Sequence, residues 1–543
     1  MLDPLPLLPQ QLIRECKHRG KLLKVGDSTG AKLSGHDLLL RTLILRRLLS
    51  RHVLQSSEQN VGLLLPPSVP ATVANFALSF AGKTSVNLNY SASSAIINQC
   101  ISLAKIKHVL TSRKVMEKMD LKLDAELVYL EDFKDKVTLF DKWVGFIGSR
   151  FVPTSILCRQ LGISKLKADD PLTIIFTSGS TGTPKGVVLS YANIASNVYG
   201  IQEALCLRED DVMIGVLPFF HSFGYTITLW TSQALSLAGV FHYSPLDARQ
   251  IGKLAAEHKG TILLGTPTFL RTYIRRVEPE QFKSLEMVIV GAEKLPIALS
   301  DAFEKQFGLR PIEGYGSTEM SPLVSVNLPP KRSKATDASR GLREGTVGRP
   351  IPGVEARVVS LDDGSLLPLG ETGMLHVRGR NRMQGYLSRP DLTDQVIRDG
   401  WYVTGDIAKL DADGFIHITG RQSRFSKIGG EMVPHIQIEE TIQAILGSDS
   451  DGMMSAVVTA VPDEKRGERL IVLHTKLAMT PSEILKQLSE AGLPNLYLPS
   501  EDSFLEVDSI PVLGTGKLDL KAMQQLAREK LGSFENRIDV SSH

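Results

Sequence analysis

Cysteine is scarce in this chain: Cys16, Cys100, Cys158 and Cys206 are the four present, and no two stand in a C-x-x-C or other metal-ligand spacing. That scatter argues against a disulfide framework or a zinc site and for reduced thiols in a cytoplasmic protein. An excess of one charge is lacking as well. A net charge of +3 over 543 residues neither demands nor excludes an anionic partner, and no basic stripe of the kind that tracks nucleic acid is present. The first eleven residues hold no basic patch followed by an apolar core, so no secretory signal is read. Long apolar runs are missing too. Two stretches are free of charge, 61–82 and 222–246, but the first contains Pro66, Pro67 and Pro70 and the second contains Gln233, His242 and several Ser and Thr. Neither is the uninterrupted run of about 20 residues that spanning a membrane requires, and buried strand–helix units explain both. No internal repeat marks a solenoid.

What is present is enough chain for two or more hydrophobic cores. Hydrophobic content of 42% with 22% charged residues is ordinary for a globular protein. From residue 61 short apolar runs alternate with helical stretches: runs at 61–65 and 84–88, helices at 70–82 and 92–105, then runs at 108–111 and 126–130. A second series starts at 172–176 and repeats at 212–217, 239–243, 261–264 and 287–290, each run followed by helical sequence. Such alternation predicts parallel sheets covered by helices. Beyond residue 347 shorter β-like pieces suggest a β-rich subdomain to about 419, and 329–345 reads as an exposed basic loop. The portion after 424, with hairpin runs at 455–460 and 470–475 and helices at 481–491 and from 518, is long enough for a separate small domain. The segment 38–51 is an amphipathic helix in which Arg41, Arg46, Arg47 and Arg51 interrupt leucines. Its basic face is either simply solvated or meets an acidic partner or anionic lipid, a peripheral contact at the inner face of a membrane.

Ten residues behind the run 172–176, Thr177-Ser178-Gly179-Ser180-Thr181-Gly182-Thr183-Pro184-Lys185-Gly186, alternate hydroxyls with small residues. Three glycines let the backbone turn its N–H groups toward an anion, and the hydroxyls and Lys185 add donors. The order G-x-x-x-x-G-K-[ST] of the ordinary P-loop is absent. The stretch resembles the signature of the acyl-adenylate-forming superfamily, which includes fatty acyl ligases, luciferases and the adenylation domains of peptide synthetases.

The resemblance implies an α/β fold with a large N-terminal domain of parallel helix-covered sheets (1–419, β-rich from about 347), a hinge at 420–424 and a small mobile α+β domain at 425–543. It implies ATP and magnesium as cofactors. Thr177, Ser178, Gly179, Ser180, Thr181, Gly182 and Lys185 match the phosphate loop. Glu313-Gly314-Tyr315-Gly316-Ser317-Thr318-Glu319-Met320 resembles the central signature, in which Gly314, Tyr315 and Gly316 belong to the nucleotide site with Tyr315 stacked on adenine, Thr318 contacts the α-phosphate and Glu319 holds magnesium. Gly291, Ala292 and Glu293 follow the run 287–290, at the strand end where open α/β sheets place ligands, and by resemblance line the adenine pocket. Asp406, in Tyr402-Val403-Thr404-Gly405-Asp406, and Arg421 match the ribose contacts; a carboxylate can accept both protons of a vicinal diol. Lys517, in Gly514-Thr515-Gly516-Lys517, matches the lysine that bridges carboxylate and phosphate during adenylation, and Gly430 the glycine of the thiol channel. Ser423 departs from the pattern, standing where many relatives carry an aspartate hinge.

Substrate class turns on Leu217-Pro218-Phe219-Phe220-His221-Ser222-Phe223-Gly224, which has no aspartate to pair an amino acid's ammonium. The uncharged aromatic sequence suits a long-chain fatty acid, with His221 near its carboxylate. Asn87-Leu88-Asn89-Tyr90, the segment 424–433 and Ile510-Pro511-Val512-Leu513-Gly514-Thr515-Gly516-Lys517 look like the acyl-acyl carrier protein synthetases, as in the synthetase part of the bacterial bifunctional 2-acylglycerophosphoethanolamine acyltransferase. Acyl carrier protein is therefore the expected thiol and coenzyme A the alternative. No separate acyltransferase unit is read. A non-catalytic adenylate-binding regulator is the reading from another class, against which Lys517 and Glu319 argue.

Overall fold

The computed structural model describes residues 5–178, 184–329, 332, 341–428, 431–446, 455–463, 466–512 and 518–540, the side chains of Ser178, Ser423, Lys427, Glu431, Met432 and 532–540 excepted. Among the described residues the strands form four sheets. The first runs, in spatial order, Arg349–Pro350, Leu323–Val326, Ile312–Gly316, Met287–Val290, Ile262–Gly265, Val212–Gly215, Ala238–Phe241, Leu23–Asp27, Lys32–Ser34. Its interior pairs are parallel, and antiparallel strands close both edges. Met287–Val290 and Ile262–Gly265 are buried at every position, as strands covered on both faces must be.

The second sheet runs Gly385–Tyr386, Pro184–Ser190, Pro171–Ser178, Thr84–Asn87, Asn60–Leu63, His108–Thr111, Glu126–Tyr129. Here the expectation that the run 172–176 leads into a helix fails: Pro171–Ser178 pairs antiparallel with Pro184–Ser190, and the helix Tyr191–Ala204 comes only afterwards. Two β-competent runs this close in sequence pair with each other, so the first strand is followed by a second before any helix.

Both charge-free stretches are buried strand–helix units. Val69–Phe80, capped by the Ser68 hydroxyl with proline in its first turn, is buried at nearly every residue, and its Phe76 ring lies 5.0 Å from Trp230. No described helix is long and apolar enough to cross a membrane. Within 222–246 the backbone forms a π-helix, Phe223–Thr231, continuing into Ser232–Ala234. Its end is closed by Lys24, fully buried, whose ammonium donates to the carbonyls of Ser232 (2.9 Å), Leu235 and Leu237 (2.9 Å). Burial pushes that lysine down to about 7.

A third, antiparallel sheet holds Val354–Val359, Gly373–Gly379, Trp401–Leu410, Ile397–Arg398 and Ile416–Arg421, matching the expected β-rich region. The fourth holds Glu431–Pro434, Phe425–Ile428, Gly467–His474, Ala456–Asp463 and Phe504–Glu506, with the helices Pro481–Glu490 and Leu520–Val540 close to their expected positions. The segment 329–345 is not wholly an exposed loop. Arg332 is buried and donates to Asp211 at 2.7 and 3.0 Å, 3.0 Å from Glu286; the residues around it lie outside the described ones.

The helix Gly35–His52 forms as expected, but its arginines are largely occupied within the protein: Arg46 donates to the carbonyls of Phe80 and Leu161, and Arg47 and Arg51 to the buried Asp141.

Candidate active site

The described residues among those singled out by sequence are linked by contacts between the signature strand Ile312–Gly316, the turn after Met287–Val290, the hairpin strand Pro184–Ser190 and the third sheet. Ile312–Gly316 carries Gly314, Tyr315 and Gly316 as a strand, followed by a short turn of 3₁₀ helix, Thr318–Met320, that presents Thr318 and Glu319. The Thr318 hydroxyl lies 3.1 Å from that of Ser222, so the segment 217–224, with His221, abuts the signature. The His221 ring stands 4.9 Å from Phe220, which in turn meets Tyr90 edge-on at 4.9 Å. The other aromatics of the run are core: Phe219 packs on Phe241, and Tyr225 and Trp230 are fully buried.

Gly291 sits where these elements touch. A Cβ there would come 3.1 Å from the Phe223 ring and 3.4 Å from the Gly314 carbonyl, so the adenine-loop candidate lies close against the signature strand and a side chain would press on the Phe223 ring. Ala292 next to it holds φ +71°, a left-handed conformation that disfavours alanine by on the order of 1 kcal/mol. The turn is held by two carboxylates. Glu293 accepts from the Thr268 hydroxyl (3.2 Å), and Glu313 from the Leu295 N–H (3.3 Å). Burial raises Glu313 to about 7, although the Leu295 N–H and Lys294 oppose it. Lys294 itself pairs with Glu440 of the helix His435–Leu446 at 2.6 Å.

Asp406 lies inside the long strand Trp401–Leu410, not in a turn. Gly405 takes φ +76° there, a conformation suited to glycine, and the register shifts just beyond. The buried Asp406 carboxylate accepts from the Tyr315 hydroxyl and from Arg421 Nε (2.9 Å). Asp406 raises the Arg421 guanidinium, while burial and then Asp406 hold the Tyr315 phenol well above its usual range. Phenol, carboxylate and guanidinium thus form one hydrogen-bonded unit.

Two tyrosines were missed by sequence reasoning. The Tyr386 hydroxyl donates to Glu319 Oε1 (2.8 Å), and Lys185 Nζ stands 5.5 Å over the same ring. Burial, then Glu319, keeps the Tyr386 phenol protonated far above its ordinary range. Tyr402, buried, is raised first by burial and then by the charge of Glu319, with Tyr386, Tyr315 and Asp406 also acting on it. A Gly-Tyr pair and a Trp-Tyr pair give no chemical signal until their neighbours are known.

Thr177 pairs with Lys185 across the antiparallel strands that flank the candidate phosphate loop. Gly179, Ser180, Thr181, Gly182, Gly430 and Lys517 lie outside the described residues, as does the side chain of Ser178. Among the described residues no cluster of three His, Cys, Asp or Glu offers a ready-made metal cage. A single carboxylate, Glu319, beside a phosphate loop still fits magnesium, which is commonly held by one or two carboxylates together with substrate phosphates and water.

The AMP-binding enzyme family model matches residues 15–387. The chain belongs to the AMP-binding enzyme family. It is an acyl-adenylate-forming acid–thiol ligase that uses ATP. Over 523 residues it is 27% identical to a long-chain-fatty-acid–CoA ligase of Bacillus subtilis, covering 90% of this chain and 89% of that one. A ligase of the same name from Yersinia pestis is 28% identical over 487 residues, 84% of this chain and 83% of its own. The crystal structure of ATP-bound MatB from Rhodopseudomonas palustris superposes with a TM-score of 0.77 at 26% identity, over 95% of this chain and 98% of that one. These similarities carry the whole α/β architecture, including the β-rich and C-terminal portions. They do not carry the resemblance to acyl carrier protein synthetases, since the relatives are named as coenzyme A ligases.

Proposed function

We propose that this ligase activates a long-chain fatty acid as its acyl-adenylate and transfers the acyl group to coenzyme A. The observation that carries this reading is the similarity to a long-chain-fatty-acid–CoA ligase along nine-tenths of the chain, C-terminal portion included. It moves the acceptor from the acyl carrier protein expected on motif grounds to its alternative. The fatty carboxylate attacks the α-phosphorus of ATP and pyrophosphate leaves. The phosphate loop from Thr177 to Lys185 holds the triphosphate, Tyr315 with Gly291, Ala292 and Glu293 takes the adenine, and Asp406 with Arg421 the ribose. Thr318 donates toward the α-phosphate, His221 lies toward the acid, and Glu319, held by Tyr386, is the ligand for magnesium. When bound, that ion neutralises charge on the phosphates. Fixed donors aimed at charge that grows in the transition state are the larger part of such catalysis.

Lys517 is the cation that bridges the two reactants in this reading, brought by the domain 425–543 turning about 420–424 toward the body 1–419. Two ion pairs support that hinge. Arg421 is tied to Asp406 in the third sheet, whereas Arg424, three residues on, is buried against Glu439 of the helix His435–Leu446 and donates to the Val458 carbonyl of the fourth sheet. The change of anchorage falls at Gln422-Ser423. Gly430 then lets the thiol arm pass.

Acyl carrier protein remains the second reading, favoured by the segments 87–90, 424–433 and 510–517. Separate reactions of the purified protein with ATP, magnesium, palmitate and either coenzyme A or acyl carrier protein decide between them. Palmitoyl-CoA as the dominant product is expected; thioester formed only on the carrier protein overturns the choice of thiol.

A further inference from the structure

The helix Leu139–Arg150 is packed the wrong way round for a globular protein. Its polar and small side faces inward. Asp141 is fully buried and takes hydrogen bonds from Arg47 (2.9 Å) and Arg51 (2.6 and 3.3 Å) of the helix Gly35–His52. Gly145 and Gly148 let the two helices close up: a Cβ on the first would stand 2.9 Å from Leu40, and on the second 3.1 Å from Leu43. The capping box of Thr138 and Asp141 fixes the start of the helix. The apolar side is consequently turned to solvent: Leu139 is 76% exposed, Phe140 65%, Trp143 63% and Phe151 70%, with Phe146 and Ile147 beside them. An amphipathic helix normally buries that stripe. A contiguous apolar patch of this kind marks an interaction site.

The chemistry of the patch narrows the partner. Trp143, Phe146 and Phe151 form a connected ring cluster, with centroids 6.5 and 6.0 Å apart. Arginines frame it: Arg47 lies 5.3 Å over Phe140, and Arg150, which also reaches Asp37, lies 4.4 Å over Phe146. Lys142 is exposed on the same helix, and Arg159 follows. From 139 to 161 the one acidic residue is the buried Asp141. A helix with Trp, Phe and Leu outermost, exposed Lys142 and Arg159 beside them and no exposed acid between 139 and 161 complements an anionic lipid surface. A second copy would have to set the same basic residues against themselves in a two-fold interface. At 12 residues the helix is too short to cross a bilayer.

We infer that the face formed by Leu139, Phe140, Trp143, Phe146, Ile147 and Phe151 docks on an anionic lipid bilayer, the helix lying in the headgroup plane. This goes beyond the ligase reading and does not depend on which acid or thiol is used. It also moves the membrane contact from the basic helix at 38–51, whose arginines brace this face from behind.

Trp143 supplies the probe, because Trp230 and Trp401 are buried. With vesicles of equimolar phosphatidylcholine and phosphatidylglycerol, the full chain is expected to co-sediment with a blue shift of tryptophan emission. Binding should weaken on vesicles of phosphatidylcholine alone and with added salt. The double variant Trp143→Ser, Phe146→Ser should lower the vesicle partition coefficient by about tenfold or more, and Phe151→Ser, outside the helix, should lower it separately. ATP–pyrophosphate exchange in vesicle-free buffer verifies that each variant is folded. The inference is overturned if the parent protein stays in the supernatant with anionic vesicles, or if the folded variants sediment as it does. It is also overturned if the face instead joins two copies, seen as a lipid-independent dimer that the double variant dissolves.

Discussion

Tyr386 holds Glu319 through one hydrogen bond and lies under Lys185, so it touches both the metal-ligand candidate and the phosphate-loop cation. Removing its hydroxyl leaves the ring and the cation contact but frees the carboxylate to rotate. Tyr386→Phe should therefore lower the rate of adenylate formation about tenfold and raise the magnesium concentration for half-maximal rate, as loss of an outer-shell partner does. Steady-state exchange rates across a magnesium titration read both. An unchanged magnesium dependence contradicts the assignment. Glu313 makes a pH prediction. Burial raises it from 4.5 to about 7, so the folded protein holds its proton more tightly than the unfolded chain does. Its contribution is fully present below pH 4.5 and is lost as pH rises to 7, at about 1.4 kcal/mol per unit, at most about 3 kcal/mol in all. Glu313→Gln keeps an acceptor for the Leu295 N–H without the titration. Urea unfolding should find the variant close to the parent at acid pH and more stable by about 1 to 3 kcal/mol above pH 8. A difference that stays constant with pH refutes the account.

Among the elements, the π-helix Phe223–Thr231 links core to site, since Phe223 at its start touches Gly291 and Lys24 closes its end. Lys24→Met removes the donors of three carbonyls in a dry interior. A loss of about 2 to 4 kcal/mol is expected in chemical denaturation, with a weaker apparent affinity for the acid because the segment 217–224 loosens. A variant as stable as the parent contradicts this. The elements also show what could be read in the sequence. Strands such as Met287–Val290 were legible because a run buried on both faces is apolar throughout, and the ligand loops were legible because they come directly after such runs. The hairpin at Pro171–Ser178 was not, because an apolar run marks a strand without fixing how the chain leaves it. Lys24 carries no signal in the sequence, because its three acceptors come from residues more than two hundred positions away. For Leu139–Arg150, periodicity reveals two faces but not which one points inward; here Asp141, Gly145 and Gly148 decide it.

On the scale of the whole molecule, the site draws on three sheets, and by sequence its last cation, Lys517, comes from the C-terminal portion. Lys517→Ala should reduce acyl-adenylate formation by at least about a hundredfold while leaving thioester formation from supplied acyl-adenylate within about threefold of the parent, a division of labour expected when one cation serves only one transition state. Equal losses in both half-reactions contradict a moving domain that serves them in turn. All of this presupposes that the gathered residues activate a carboxylate with ATP, and fatty-acid-dependent ATP–pyrophosphate exchange in the absence of any thiol measures that step alone. Label should pass from pyrophosphate into ATP only when palmitate or a similar acid is present. A protein that binds ATP yet exchanges no label with any acid offered would contradict the account.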